Sequence, residues 1–332
     1  MEGKHMEAIA RAHTNIALIK YWGKRDEQLF LPANSSLSIT LDRFYTTTKV
    51  TFDPVLSEDR FMLNGEEAGP SEMAKVTRFM DKIRAFSGKN LYAVIESVNK
   101  VPTAAGFASS ASGMAALAAA AVKALGIQAD GRTLSQIARQ GSGSACRSIY
   151  GGFVEWQKGE KADGTDSYAV PIIGEKDWDL SILSCLLEPE QKKISSREGM
   201  KRTVETSPFY AGWLEAAEKD LVAAKTAIAR RDFELLGKVL EANALKMHAT
   251  TLGADPPFLY WQSATLDVMH EVWKLRERGI PAYFTIDAGP NVKVLCEGEN
   301  EKTVLEVLQR IPSVQTILTC RPGPGISYGP FA

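Results

Sequence analysis

Several short stretches of this 332-residue chain gather side chains that handle anions. Lys20, Tyr21 and Lys24 follow an apolar run, so two ammonium groups and a phenol meet at a strand end. Residues 100–113 form a small-residue loop leading into an alanine-rich helix. Free backbone amides and the helix dipole make such a junction a seat for phosphate. Ser109, Ser110 and Ser112 add hydroxyls that can donate to phosphate oxygens or help ligate Mg²⁺. Residues 140–148 pack Ser142, Gly143 and Ser144 beside Arg147, whose planar fork matches a carboxylate or a phosphate. Residues 192–200 bring Lys192, Lys193, Ser196, Arg197 and Met200 together. Asp287 stands between apolar Ile286 and Ala288 before a turn, which predicts a partly buried carboxylate in need of partners. Each stretch also has a plainer reading: a solvated basic turn, a capped helix, a flexible Gly-Ser loop, a turn-stabilising aspartate.

The elements that must position these groups change character along the chain. Strand-like runs are predicted at 8–18, 36–41, 46–52, 91–99, 151–157, 168–173 and 180–187, with helices at 109–125 and 134–141. Long amphipathic helices follow at 207–229, 232–247 and 264–278. Ser207 is the expected cap of the first, with Pro208 in its opening turn. Strands at 282–286 and 292–297, a helix at 301–310 and a strand at 315–319 complete an α+β pattern. The change in composition puts a division at 187/188, giving units 7–187 and 188–332.

Composition removes several function classes. Apolar residues are 45% and charged residues 24%, enough for a sizeable core without staples. Lys plus Arg number 39 against 40 Asp plus Glu, so no extended basic surface for nucleic acid is expected. Cys146, Cys185, Cys296 and Cys320 form no C-x-x-C pair and have no histidine at ligand spacing, which speaks against zinc and suits a reduced cytoplasm. The most lipid-like stretch, 104–126, is mostly alanine interrupted by serines and Lys123, and reads as a buried helix rather than a membrane span. Residues 1–5 fall before the patterned sequence and read as partly foreign to it. His13, His248 and His270 read as packing or surface residues.

Pro-x-x-x-Gly-x-x-Ser-Ser-Ala, residues 102–111, is similar to the ATP-phosphate loop of the GHMP kinase superfamily. The segment 12–25, continued by 34–38, resembles the N-terminal signature of the diphosphomevalonate decarboxylases. The blocks at 140–148, 192–200 and 285–292 resemble the same family in the same order. The resemblance implies a GHMP kinase fold, with an N-terminal ribosomal-protein-S5-like α/β domain and a C-terminal ferredoxin-like α+β domain around one cleft. It implies ATP and Mg²⁺ as cosubstrate and cofactor, 5-diphosphomevalonate as substrate, and a cytoplasmic homodimer with neither a nucleic-acid nor a membrane partner. By the same likeness Asp287, Arg147 and Lys24 are catalytic. Ala17, Tyr21, Lys24, Ser142, Gly143, Ser144, Arg147, Ser196, Arg197, Met200 and Ala288 line the substrate pocket. Ser97, Asn99, Pro102, Gly106, Ala108, Ser109, Ser110, Ser112 and Lys193 hold ATP, with Ser109 near Mg²⁺. The competing readings are an enzyme of the same superfamily that stops at phosphorylation or decarboxylates a related mevalonate monophosphate, and a non-catalytic ATP sensor. Asp287, Arg147 and Lys24 together argue against the sensor.

Overall fold

The computed structural model describes residues 6–102, 107, 109–187 and 194–331. In chain order the first elements are β1 (Met6–Ile19), β2 (Lys24–Asp26), β3 (Leu31–Pro32), β4 (Ser36–Asp53), β5 (Arg60–Leu63), β6 (Glu66–Glu67), α1 (Pro70–Ser87) and β7 (Tyr92–Asn99). Next come α2 (Ser109–Ala124), α3 (Gly131–Arg139), a 3₁₀ helix (Gly143–Ile149), β8 (Phe153–Trp156), β9 (Ala169–Ile173) and β10 (Leu180–Leu186). The remainder is α4 (Ser196–Thr206), α5 (Tyr210–Arg230), α6 (Phe233–Leu252), α7 (Ser263–Glu277), β11 (Tyr283–Ile286), β12 (Val292–Glu297), a 3₁₀ turn (Gly298–Asn300), α8 (Glu301–Leu308), β13 (Thr316–Cys320) and β14 (Ser327–Tyr328).

The first sheet runs β14-β1-β4-β7-β5-β6, with β8 on β4 and β9 on β8. Its inner face carries Ala8, Ala10, Ala12, Val50, Ala93 and Ile95, which pack against the alanines of α2. Alanine on both partners lets the helix backbone lie close to the sheet and costs little side-chain entropy. α2 is therefore buried nearly all round, as its composition predicts, and no described helix is long and apolar enough to cross a membrane. The second sheet, β11-β12-β10-β13, is wholly antiparallel. Leu295 and Tyr283 on one face join α5, α6 and the Ile16–Leu18 end of β1. Val292, Val294 and Cys296 on the other face meet α7 and α8.

Two connections cross the expected 187/188 division. β10 lies before it yet hydrogen-bonds to β12 and β13, and β14 returns to pair with β1.

Two expectations are corrected. Ser207 and Pro208 do not open α5; Ser207 ends α4, its carbonyl accepts from the Tyr210 amide, and α5 begins at Tyr210. The segment 196–206, to which no element was assigned from sequence, is the helix α4, capped by the Ser195 hydroxyl accepting from the Glu198 amide at 3.2 Å. The runs 36–41 and 46–52 are one continuous strand, β4.

Candidate active site

The cleft is built where β1 stops behaving as a regular strand. Its pairing with β4 slips between His13 and Asn15 and again between Ala17 and Ile19. Bulges of this kind re-aim side chains near a site. Asn15 and Ala17, two residues apart on the strand, both reach the cleft, and Lys20 follows where the strand ends. The opposite wall is the 3₁₀ helix at 143–149. There Gly143 has no room for a side chain: a Cβ would stand 2.9 Å from the Trp156 ring and 3.1 Å from Tyr21. That close approach lets the Tyr21 ring lie against Trp156, centroids 4.8 Å apart. The third wall is the turn after β11, where the Gly289 amide donates to the Asp287 carbonyl at 2.7 Å. Together they bound a cleft of about 620 Å³, which Ser109 and Ser110 at the start of α2 and Ser196, Arg197 and Met200 of α4 also line.

Charged groups on the cleft floor are held by the protein. Lys20 Nζ donates to Asp287 Oδ1 at 2.7 Å and to the Ala17 carbonyl at 2.8 Å. Lys293 Nζ stands 3.4 Å from the other carboxylate oxygen, Oδ2. Burial alone would raise the Asp287 pKa, but the two ammonium groups override it and hold the carboxyl well below the usual carboxylate range. Asp287 therefore stays ionised, and its side chain keeps 30% exposure towards the cleft. Burial lowers the Lys20 pKa against the pull of Asp287. Arg147 is 2% exposed and donates from Nη1 to Ser36 Oγ at 2.6 Å and from Nη2 to Asn15 Oδ1 at 3.1 Å. Burial lowers its pKa too, partly countered by Cys146 and Asp287. Below the floor, His248 is fully buried with Nε2 3.4 Å from the Ile286 carbonyl; burial pushes its pKa down to about 3.

The mouth of the cleft is differently made. Ser109 and Ser110 are exposed at the N-terminus of α2, and Ser142 Oγ lies 3.5 Å from Ser110 Oγ. Lys24 pairs with Glu27 at 2.5 Å, and its Nζ lies 4.7 Å from the centre of the Phe30 ring. The exposed hydroxyls and helix-end amides fit a polyphosphate with its Mg²⁺. Among the described residues no group of three or more His, Cys, Asp or Glu could hold a metal by itself.

Residues 12–169 match the diphosphomevalonate decarboxylase-like N-terminal domain, and residues 182–321 match the mevalonate 5-diphosphate decarboxylase C-terminal domain. The diphosphomevalonate decarboxylase of Ganoderma lucidum is 39% identical over 324 residues, covering 91% of this chain and 81% of that one. This chain belongs to the diphosphomevalonate decarboxylase family. The human member is 37% identical across 95% of this chain and 88% of its own. Among solved structures of the family, the Staphylococcus aureus mevalonate diphosphate decarboxylase has a TM-score of 0.93 at 49% identity, covering 97% of this chain and 98% of that one. A relative named MDDEF, in complex with MVAPP, AMPPCP and magnesium, has a TM-score of 0.91 at 51% identity, covering 98% and 99%. The architecture is the α+β GHMP kinase fold expected from the resemblance.

The structure brings Ala17, Tyr21, Lys24, Ser109, Ser110, Ser142, Gly143, Ser144, Arg147, Ser196, Arg197, Met200, Asp287 and Ala288 to one cleft. Other expected ATP contacts sit away from its wall. The Ser97 hydroxyl is buried against that of Thr48 at 2.8 Å, and Ser112 is buried against Thr46 at 2.8 Å. Asn99 Oδ1 accepts from Thr46 Oγ1 and from the Val101 amide. Pro102 is half-buried beside them, outside the lining. Gly106, Ala108 and Lys193, with its neighbour Lys192, lie outside the described residues.

Sequence reading passed over Asn15 and Lys293 altogether, and treated Lys20 as a ligand for an anion when its partner is Asp287. It also passed over Lys75, which reaches the cleft from α1. The signal for α1 was present: Pro70 in the first turn, Val76, Phe79, Met80 and Ile83 at helical spacing, and Gly88 in the left-handed conformation at the end.

Proposed function

We propose that this cleft places the reacting groups of 5-diphosphomevalonate between Asp287 and Arg147, with the phosphates of ATP at the start of α2. The reaction is ATP-dependent decarboxylation in the mevalonate pathway, giving isopentenyl diphosphate, ADP, phosphate and CO₂. ATP supplies the phosphoryl group that converts the C3 hydroxyl into a leaving group, with Mg²⁺ offsetting the phosphate charge.

The protein's part is positioning and charge. Ser109 and Ser110, with the first amides of α2, take the ATP phosphates and their Mg²⁺. Ser142, Ser144, Tyr21, Lys24, Ser196 and Arg197 anchor the substrate diphosphate. Arg147, fixed by Asn15 and Ser36, orients the substrate carboxylate. Asp287 accepts the hydrogen bond of the C3 hydroxyl and points its oxygen at the phosphate to be transferred. Because two lysines keep Asp287 ionised, it is a weak base, and alignment is its main task. A loose phosphoryl-transfer transition state asks for little base strength early. As that phosphate leaves, positive charge builds at C3. The carboxylate electrons then form the double bond and CO₂ departs.

The observation that carries this reading is the ionised Asp287 opening onto the same cleft as Arg147 and the exposed serines of α2. The test is release of CO₂ from carboxyl-labelled 5-diphosphomevalonate, measured beside ADP, for wild type and Asp287→Ala. Wild type releases both in equal amounts, and the variant releases both about 10²–10⁴-fold more slowly. ADP without CO₂ from wild type would make the protein a kinase instead. The enzyme works as a cytoplasmic homodimer on this reading. The four buried free thiols suit a reducing compartment, and light scattering at twice the chain mass is the expected result for the dimer.

A further inference from the structure

Lys293 occupies a position that packing alone would fill with an apolar side chain. It lies on β12 between Val292 and Val294, across from Ser184 of β10 and Thr285 of β11. Strand alternation sends it to the opposite face from those valines, the face that carries Leu295 and Tyr283 into the core beneath α6. It is 1% exposed. Burying an ammonium there is costly unless it is paired.

Its surroundings point to the pairing that matters. The two oxygens of Asp287 face different lysines: Oδ1 receives Lys20 at 2.7 Å and Oδ2 faces Lys293 at 3.4 Å. Either ammonium alone would leave the carboxylate free to rotate about its last bond. With one on each side, its plane is defined. The Lys293 ammonium also lies 5.8 Å from the centre of the Phe107 ring, in the loop that leads to α2. It therefore stands between the turn bearing Asp287 and the loop expected to carry ATP. Lys293 does not line the cleft, so it meets Asp287 from behind and not the substrate.

We propose that Lys293 is a positioning residue for the decarboxylation, fixing the carboxylate plane of Asp287 so that one oxygen faces the substrate hydroxyl. The proposal rests on Asp287 acting on the substrate, as set out above. Removing the ammonium while keeping the side-chain bulk loosens the carboxylate and leaves the substrate contacts in place. Lys20 remains to pair Asp287, so the fold persists.

The experiment is a double-mutant cycle on kcat and KM, using Lys293→Met, Asp287→Asn and the two combined. Lys293→Met is expected to lower kcat roughly 10²-fold, the scale of a small misplacement of a reacting group, with KM for both substrates unchanged. In the Asp287→Asn background, read by single-turnover CO₂ release, the same change is expected to have less than about a twofold effect, because the group it acts through is already gone. Lys293→Gln, which keeps a hydrogen-bond donor, should recover part of the lost kcat. A raised KM with kcat intact would overturn the proposal in favour of direct substrate binding. An equal kcat loss in both backgrounds would overturn it in favour of a general structural effect, and thermal melting of each variant would show that effect directly. An inactive Asp287→Asn beside a fully active Lys293→Met would defeat the Lys293 proposal alone. A fully active Asp287→Asn would defeat the reading of Asp287 itself.

Discussion

On the floor of the cleft, Asp287, Lys20 and Arg147 are tied to one another, to Lys293 behind Asp287, or to Asn15, Ser36 and the Ala17 carbonyl. At its mouth, Ser109, Ser110 and Arg197 are exposed, and the Lys24 ammonium has paired with an exposed glutamate, Glu27. The floor groups have their partners within the protein, while the mouth leaves hydrogen-bonding groups open to the cleft. Three cations around one carboxylate leave the floor with excess positive charge, which suits a substrate bearing a carboxylate. The difference separates groups that should govern kcat from groups that should govern KM.

The sharpest break of that contrast is removal of Asp287. Asp287→Ala should lower kcat by about 10²–10⁴-fold. It also leaves Lys20 and Lys293 buried without their shared carboxylate, so urea unfolding should show a loss of several kcat-independent kcal/mol, about 3–5. Arg147→Lys comes next. A lysine cannot reach Ser36 and Asn15 together while presenting a fork to a carboxylate, and steady-state assays should show kcat down by about 10²–10³-fold. If KM rose instead and kcat held, Arg147 would belong with the mouth. Ser110→Ala is the milder counterpart: KM for ATP should rise by about tenfold with kcat nearly constant, the worth of one hydrogen bond to a charged group.

The smallest effect at working pH is on stability. Burial lowers His13 to about 4 and His248 to about 3 from an ordinary 6.5. Above 6.5 both are neutral in folded and unfolded chains. Below it the unfolded chain takes up protons that the folded one refuses, so stability falls as pH drops from 6.5 towards the folded values. From about pH 7.5 to about pH 6 the loss should be about 0.8 kcal/mol per histidine, read from urea midpoints. His248→Gln should abolish its own share.

What was legible in sequence divides along the same line. The mouth announces itself, because phosphate seats need runs of small residues and hydroxyls next to a helix start, and such runs are contiguous. Asp287 and Arg147 stood out through the motifs around them. The partners of those two residues did not. Lys20 and Asp287 are separated by 267 positions, and Arg147 and Ser36 by 111, and no local spacing encodes either pair. Lys293 reads as one polar residue in an apolar strand, which alternation usually sends to solvent. In a sheet covered on both faces by helices, it is sent to the interior instead. Helix α4 was missed for a different reason: the block 192–200 was read only for its ligand contacts, although Ser195 and Glu198 have the spacing of a capping box.

The end of β1 is also fastened from behind. The Lys20 amide donates to Asn243 Oδ1 at 2.8 Å, and Asn243 Nδ2 donates to Asp220 Oδ2 at 2.9 Å, which Lys246 Nζ meets at 2.9 Å. The main-chain proton just beyond β1 is thereby locked by side chains of α5 and α6. In deuterated solvent that proton should exchange no faster than the opening of the two helices allows. Its exchange rate becomes a clock, mounted where the first strand enters the cleft, for unfolding events that begin about two hundred residues further along the chain.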